Sequence, residues 1–247
     1  MATLILAPTE LEFRAVHTRL AGRPFAIAAS RVVGEQPELH LSMNDGAPTL
    51  FYARLGLGKL PSVVAAAHLV ERLGDGLDRI ILCGVAGGVD PALRAGDTVI
   101  GTSALHLDIG HQTGETLVLA APGEFPSAPP RHSEPVHVCD PAALMLLNAT
   151  PAEGQRIVPG RLATTDRFIA DGAYVAHIHR RFGISAIDME SASIGYVAEA
   201  AGLKWAAIRT ITDNADDDAM ADFMHRLAHC AGIAADLAVR LARDWVD

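Results

Sequence analysis

Short apolar runs alternate along these 247 residues with stretches whose apolar positions fall three and four apart, the pattern of buried strands alternating with helices. Ala2 to Ala7 reads as a buried strand that Pro8 and Thr9 turn into a helix, whose apolar face continues through Val16 and Leu20. Residues 25–55 hold strand-like stretches with turn signals at Gly34 and at Asn44-Asp45-Gly46, and a helix-like run follows from Pro61 to Leu73. Arg79 to Cys83 is a buried strand ending in Gly84-Val85-Ala86-Gly87-Gly88, and Thr98 to Gly101 is another. A helix over 140–149, a strand over 160–165 and a helix over 173–182 precede two further apolar runs, Ile187 to Glu190 and Trp205 to Asp213. Between those two lies one helix, Ser191 to Ala201, closed by Gly202. Asp216 to Val246 carries Met220, Phe223, Met224, Leu227, Ile233, Leu237 and Leu241 at helical spacing, a long amphipathic helix with a candidate break near Gly232. The alternation predicts an α/β fold, and the length is taken as one domain over residues 1–247.

Composition narrows the functions open to such a fold. A formal net charge of -9 argues against nucleic acid or anionic membrane as a partner and leaves a small neutral or cationic ligand open. No apolar run reaches the roughly 18 residues of a membrane span, and the N-terminus has neither the basic region nor the cleavage site of a secretory signal, so a cytoplasmic location is expected. Cys83, Cys139 and Cys230 are scattered, without the spacing of a disulfide framework or a zinc site. His106, Asp108, His111 and His132 likewise lack a metal-binding spacing, and no metal is expected. The five prolines between Pro122 and Pro135 mark a loop that covers a pocket or meets another subunit. A dinucleotide cofactor is rejected, because Gly84 to Gly88 leads within about ten residues to another strand and leaves no helix to receive a pyrophosphate.

The candidate chemistry sits where strands end. Glu190 and Asp213 are each delivered at the C-terminal end of an apolar run, the edge at which open α/β sheets bind ligands. Either has a plainer reading, Glu190 as a cap of the next helix and Asp213 as a cap of the next turn. Glu12, three residues after Thr9, completes a capping box and needs no other reason to be acidic. The glycine stretch offers exposed backbone to a flat ligand.

Four pieces in this order are similar to the purine nucleoside phosphorylase and uridine phosphorylase superfamily, most closely to its 5'-methylthioadenosine/S-adenosylhomocysteine nucleosidases. They are the first strand with Glu12; Leu57-Gly58-Lys59 before a helix; Gly84 to Gly88 followed by Gly96-Asp97-Thr98-Val99; and Asp188-Met189-Glu190 with Arg209 to Asp216. The resemblance implies a three-layer α/β/α fold around a central mixed, partly barrel-like sheet, commonly a homodimer, acting on a small-molecule nucleoside without a cofactor. It also implies site residues: Asp213 as the acid that protonates the base, Glu12 as the carboxylate that activates water, and Met189 and Glu190 at the ribose. Ala86 and Gly87 fall beside base and sugar, Leu57 near the ribose, Phe168 stacked on the base and Ile169 bonded to it, and Arg209 close to the acids.

The implied reaction is hydrolysis of a purine N-glycosidic bond, with 5'-methylthioadenosine or S-adenosylhomocysteine as substrate and adenine as product. The alternatives are a phosphate-dependent phosphorylase, a futalosine hydrolase and a non-catalytic nucleoside-binding domain. Charge favours water, because Glu10 and Glu12 stand where phosphorylases carry a Gly-Asp-Pro-x-Arg loop, and carboxylates repel a phosphate dianion. Val85 stands where these nucleosidases usually have serine, Arg167 where they have a small residue and Met220 where an aromatic often closes. These departures leave the 5'-substituent open, with Arg167 or His106 as candidates to meet a polar tail.

Overall fold

The computed structural model describes residues 2–25, 38–42, 49–114, 116–124, 136–149 and 154–245. The turns expected at Gly34 and Asn44-Asp45-Gly46, His132 and most of the proline-rich loop lie outside them. In chain order the elements are β1 (Ala2–Ala7), α1 (Glu10–Leu20), β2 (Arg23–Pro24), β3 (Leu39–Leu41), β4 (Thr49–Arg54), α2 (Lys59–Leu73) and β5 (Leu77–Gly88). Then come β6 (Thr98–His106), β7 (Gly110–Thr113), β8 (Thr116–Leu119), β9 (His137–Val138), α3 (Pro141–Ala149) and β10 (Ile157–Thr164). The chain continues through α4 (Gly172–Phe182), β11 (Ile184–Asp188), α5 (Ser191–Ala200), β12 (Lys204–Asp213) and α6 (Ala219–Asp244).

Ten of these strands form one mixed sheet in the order β11-β10-β6-β12-β5-β1-β4-β3-β2, with β9 on β6 and a further pairing between β11 and β5. That last pairing closes β5, β12, β6, β10 and β11 into a ring, so half of the sheet is a small barrel and half is open. The pairs β12–β6 and β11–β5 are antiparallel, while β1–β5, β5–β12 and β6–β10 are parallel.

Every position of β1 is buried, which requires cover on both faces of the sheet. Leu4 and Leu6 pack with Ala65, Ala66 and Leu69 of α2 and Ile194 and Ala198 of α5. On the other face, Ile5 packs with Phe13 and Val16 of α1 and Ala234, Leu237 and Leu241 of α6. This is the expected α/β/α layering. Small residues on α6 let it lie close to the sheet, and it runs unbroken through Gly232. A mid-helix glycine costs about 1 kcal/mol, far less than the buried face of 26 residues returns.

Two element boundaries differ from the sequence reading. The strand expected to end at Cys83 continues to Gly88, because its glycine half gains β11 as a partner, with Gly87 opposite Ile187 and Gly88 opposite Ala186. Helix α2 starts at Lys59, two residues early, since Pro61 falls in the first turn, where its missing N–H has no partner to lose. No helix among the described residues is long and apolar enough to cross a membrane.

Candidate active site

The ends of β1, β5, β11 and β12 meet around a cavity of about 320 Å3 whose wall includes Glu12, Glu190 and Asp213. Three acids from distant parts of the chain thus share one space, as the resemblance requires. Ala86 and Gly87 line it from β5, Met189 from the β11–α5 joint, Leu57 from the loop before α2, and Phe168 and Ile169 from the loop after β10. Arg209 stands behind the wall, fully buried. Asp188, Pro8 and Phe223 also line the cavity, though no role was read for them in the sequence, and so does Val85, noted there as a departure from the usual serine. Phe223 was legible as a partner of Met220, three positions away on one helix face, and its ring meets Phe168 edge-on at 5.7 Å.

Glu12 serves two purposes. Its Oε2 accepts from the backbone N–H of Thr9 at 2.8 Å and from the Thr9 hydroxyl at 2.6 Å, completing the predicted capping box. Its Oε1 accepts from the N–H of Val85 at 2.9 Å. The close approach explains Gly84: a Cβ there would run into the Glu12 carboxylate and lie 2.6 Å from Arg209 Nη1.

The capping role considered for Glu190 belongs to Asp188. Glu190 occupies the N-cap of α5 without a side-chain cap bond, whereas Asp188 accepts from the N–H of Ser191 at 3.2 Å and from the Thr164 hydroxyl at 2.6 Å. Glu190 is thereby free to turn toward the cavity, where it accepts from the N–H of Gly58 at 2.9 Å and from Arg209 Nη2 at 3.3 Å. Burial raises its pKa to about 8, the charge of Arg209 opposing and those of Asp188 and Glu12 reinforcing the shift. Arg209 Nε lies 2.7 Å from Asp188 and 3.1 Å from the Ser191 hydroxyl. Its Nη1 is buried with no hydrogen-bond partner among the described residues.

Asp213 is partly the turn cap it resembles, accepting from the N–H of Ala215 at 2.9 Å. The Thr212 hydroxyl donates to its other oxygen at 2.7 Å. Burial nevertheless raises its pKa, with the charges of Asp216 and Asp222 adding to the effect. Of the two groups considered for a polar substrate tail, Arg167 lines the cavity, its guanidinium 5.7 Å over the Tyr174 ring, and His106 does not. His106 is buried elsewhere and pushed down to about 4 by desolvation and the nearby Lys59, so it is neutral near pH 7. The glycine stretch continues as strand into a turn, with no helix behind it for a dinucleotide phosphate.

The sequence profile of the phosphorylase superfamily matches residues 4–243. The chain belongs to the phosphorylase superfamily. Within that superfamily it is 30% identical over 203 residues to a 5'-methylthioadenosine/S-adenosylhomocysteine nucleosidase of Mycobacterium bovis, covering 76% of this chain and 79% of the relative. Superfamily members of known structure share the fold: the nucleosidase of Neisseria meningitidis in complex with methylthio-immucillin-A superposes with a TM-score of 0.81 at 24% identity, over 98% of this chain and 99% of that one. The futalosine hydrolase of Helicobacter pylori superposes with a TM-score of 0.80 at 19% identity, over 99% of this chain and 98% of that one.

Proposed function

We propose that this chain is a purine nucleosidase that hydrolyses the N-glycosidic bond of 5'-methylthioadenosine or S-adenosylhomocysteine and releases adenine. The observation that carries the reading is the meeting of Glu12, Glu190 and Asp213 in one cavity, beside a mostly apolar wall that includes Leu57, Phe168, Met220 and Phe223. Such a wall suits a flat base and a thioether, and the acids suit a reaction in which positive charge builds on the sugar.

In this mechanism the base lies between Phe168 and the β5 backbone at Ala86 and Gly87, with hydrogen bonds to the backbone of Ile169. Glu190 and Met189 hold the ribose, and its hydroxyl donors favour the ionised form of Glu190. Asp213, whose hold on a proton burial strengthens, gives its proton to N7 of the purine as the C1'–N9 bond breaks, and the bonding electrons leave with the base. Water attacks C1' and yields its proton to Glu12. Arg209, buried behind the wall against Asp188 and Glu190, supplies the positive charge that offsets these acids. A phosphate dianion in the same place would face Glu12 and Glu190.

Residues 1–247 act as one unit in this reading, assembled as a homodimer in the cytoplasm. Three buried free thiols are in keeping with a reducing compartment. The test is to incubate the protein with 5'-methylthioadenosine, S-adenosylhomocysteine, inosine and futalosine, with and without phosphate, and follow free base by chromatography. Adenine release at the same rate in both buffers is expected. Strict dependence on phosphate would overturn hydrolysis, and tight binding without release would favour a sensor domain.

A further inference from the structure

Glu190 is held from outside its own helix, by a piece of backbone that is itself clamped. Its Oε1 takes the N–H of Gly58, the residue that opens α2. Gly58 has φ +92°, and it has no side chain with which to cap that helix. The cap comes from the loop after β10: the N–H of Lys59 donates to Asp166 Oδ1 at 2.7 Å. The Lys59 ammonium then reaches Asp108 at 2.6 Å, the two side chains 17% and 26% exposed, and Asp108 also accepts from the N–H of Asp166 at 3.4 Å and from the Thr165 hydroxyl at 3.3 Å. Burial alone would raise the pKa of Asp108, but Lys59 and the Asp166 N–H outweigh it, so Asp108 is held ionised and the pair intact near neutral pH. Loops after β4, β6 and β10 are thus tied at one point, one residue from the donor that orients Glu190.

We propose that Lys59, through its pair with Asp108, is a positioning residue that fixes the Gly58 N–H and thereby the grip of Glu190 on the ribose. The proposal rests on the ribose role given to Glu190 above. Lys59 does not line the cavity, so its removal acts on the sugar only through that backbone. A fixed donor gives Glu190 one orientation for the ribose hydroxyls, and a loose one lets it turn away.

The test compares kcat/KM for 5'-methylthioadenosine with that for its 2'-deoxy and 3'-deoxy analogues in wild type, Lys59→Met, Lys59→Arg, Asp108→Asn, Glu190→Gln and the Lys59→Met/Glu190→Gln double variant. Comparing ratios cancels the intrinsic difference in lability among the three nucleosides. Lys59→Met and Asp108→Asn are expected to reduce the preference for the intact ribose about tenfold, and Lys59→Arg to restore most of it. In the Glu190→Gln background, Lys59→Met is expected to add less than half of its single effect, the non-additivity of two residues acting as one. Equal losses on all three substrates in Lys59→Met and Asp108→Asn, with the preference still abolished in Glu190→Gln, would overturn positioning alone. A Glu190→Gln enzyme with its ribose preference intact would overturn the role of Glu190, and the proposal with it.

Discussion

Asp213 receives hydrogen bonds at both oxygens, which by themselves would stabilise the carboxylate, yet its pKa is raised. Desolvation and the acids at 216 and 222 outweigh the two donors. The proton needed by the departing base is therefore available at a higher pH than an ordinary aspartate allows. The reactive form is the protonated one, so kcat/KM falls as pH rises through that raised pKa. Asp213→Asn is expected to lower kcat by about 10²- to 10⁴-fold, the range of general-acid contributions, and to abolish that alkaline limb while substrate still binds. Stopped-time assays across pH, with binding by calorimetry, check both halves; wild-type turnover in the variant would remove Asp213 from its role. Glu12 shows why single residues are hard to read from sequence. Thr9 and Glu12 predict the capping box, and the box is there, but one carboxyl oxygen suffices for it and the other turns to β5. A local motif accounted fully for the residue and still left half of its contacts unread.

Four buried ionisable groups, Glu12, Asp188, Glu190 and Arg209, gather around the joint between β11 and α5. Arg209 is the one cation among them in the described residues, lying against Asp188 and Glu190, with Glu12 nearby. Removing one partner of such a buried set leaves uncompensated charge, so Arg209→Met is expected to destabilise the fold by about 3–5 kcal/mol at neutral pH. The loss has a pH signature. Glu190 keeps its proton in the folded state up to about 8, while the unfolded chain gives it up near 4.5, so folding binds a proton between those values and stability falls as pH rises across them. Without Arg209 the carboxylates around it lose their counter-charge and protonation relieves them, so urea denaturation at pH 5.5 and 7.5 should show the deficit shrinking in acid; a deficit independent of pH would mean lost packing alone. Most of these strands and helices were legible because their burial follows period 2 or 3.6. The extension of β5 through Gly88 was not, since it depends on β11, about a hundred residues later in the chain. The plainer reading of Glu190, one position before the helix, was as the cap on α5, whereas Asp188 reaches it from the strand end.

Closing the sheet on itself is what gathers the site. With β11 joined to β5, the ends of β5, β11 and β12 converge, and β1 beside β5 brings Glu12 to the same rim. Strand ends suggested the meeting of Glu190 and Asp213, and the family resemblance added Glu12; periodicity could not show what the outer helices face. Helix α2 answers that in part. Leu60 is 77% exposed and Val64 47%, and Ala67 follows on the same face at helical spacing. On α5, which packs beside α2, Tyr196 is 44% exposed. An exposed apolar stripe on α2 and an exposed tyrosine on the helix beside it, on a chain of net charge -9, are poorly suited to water and well suited to a second copy of the same surface. The dimer proposed above is therefore expected to use this face. Leu60→Glu would set two carboxylates against each other if the axis passes near α2, or bury one charge in an apolar contact if it does not, and either arrangement weakens association. Sedimentation velocity at micromolar concentration should show wild type as a dimer and Leu60→Glu shifted toward monomer; a wild-type monomer would remove the dimer, and a variant sedimenting like a dimeric wild type would move the interface away from α2.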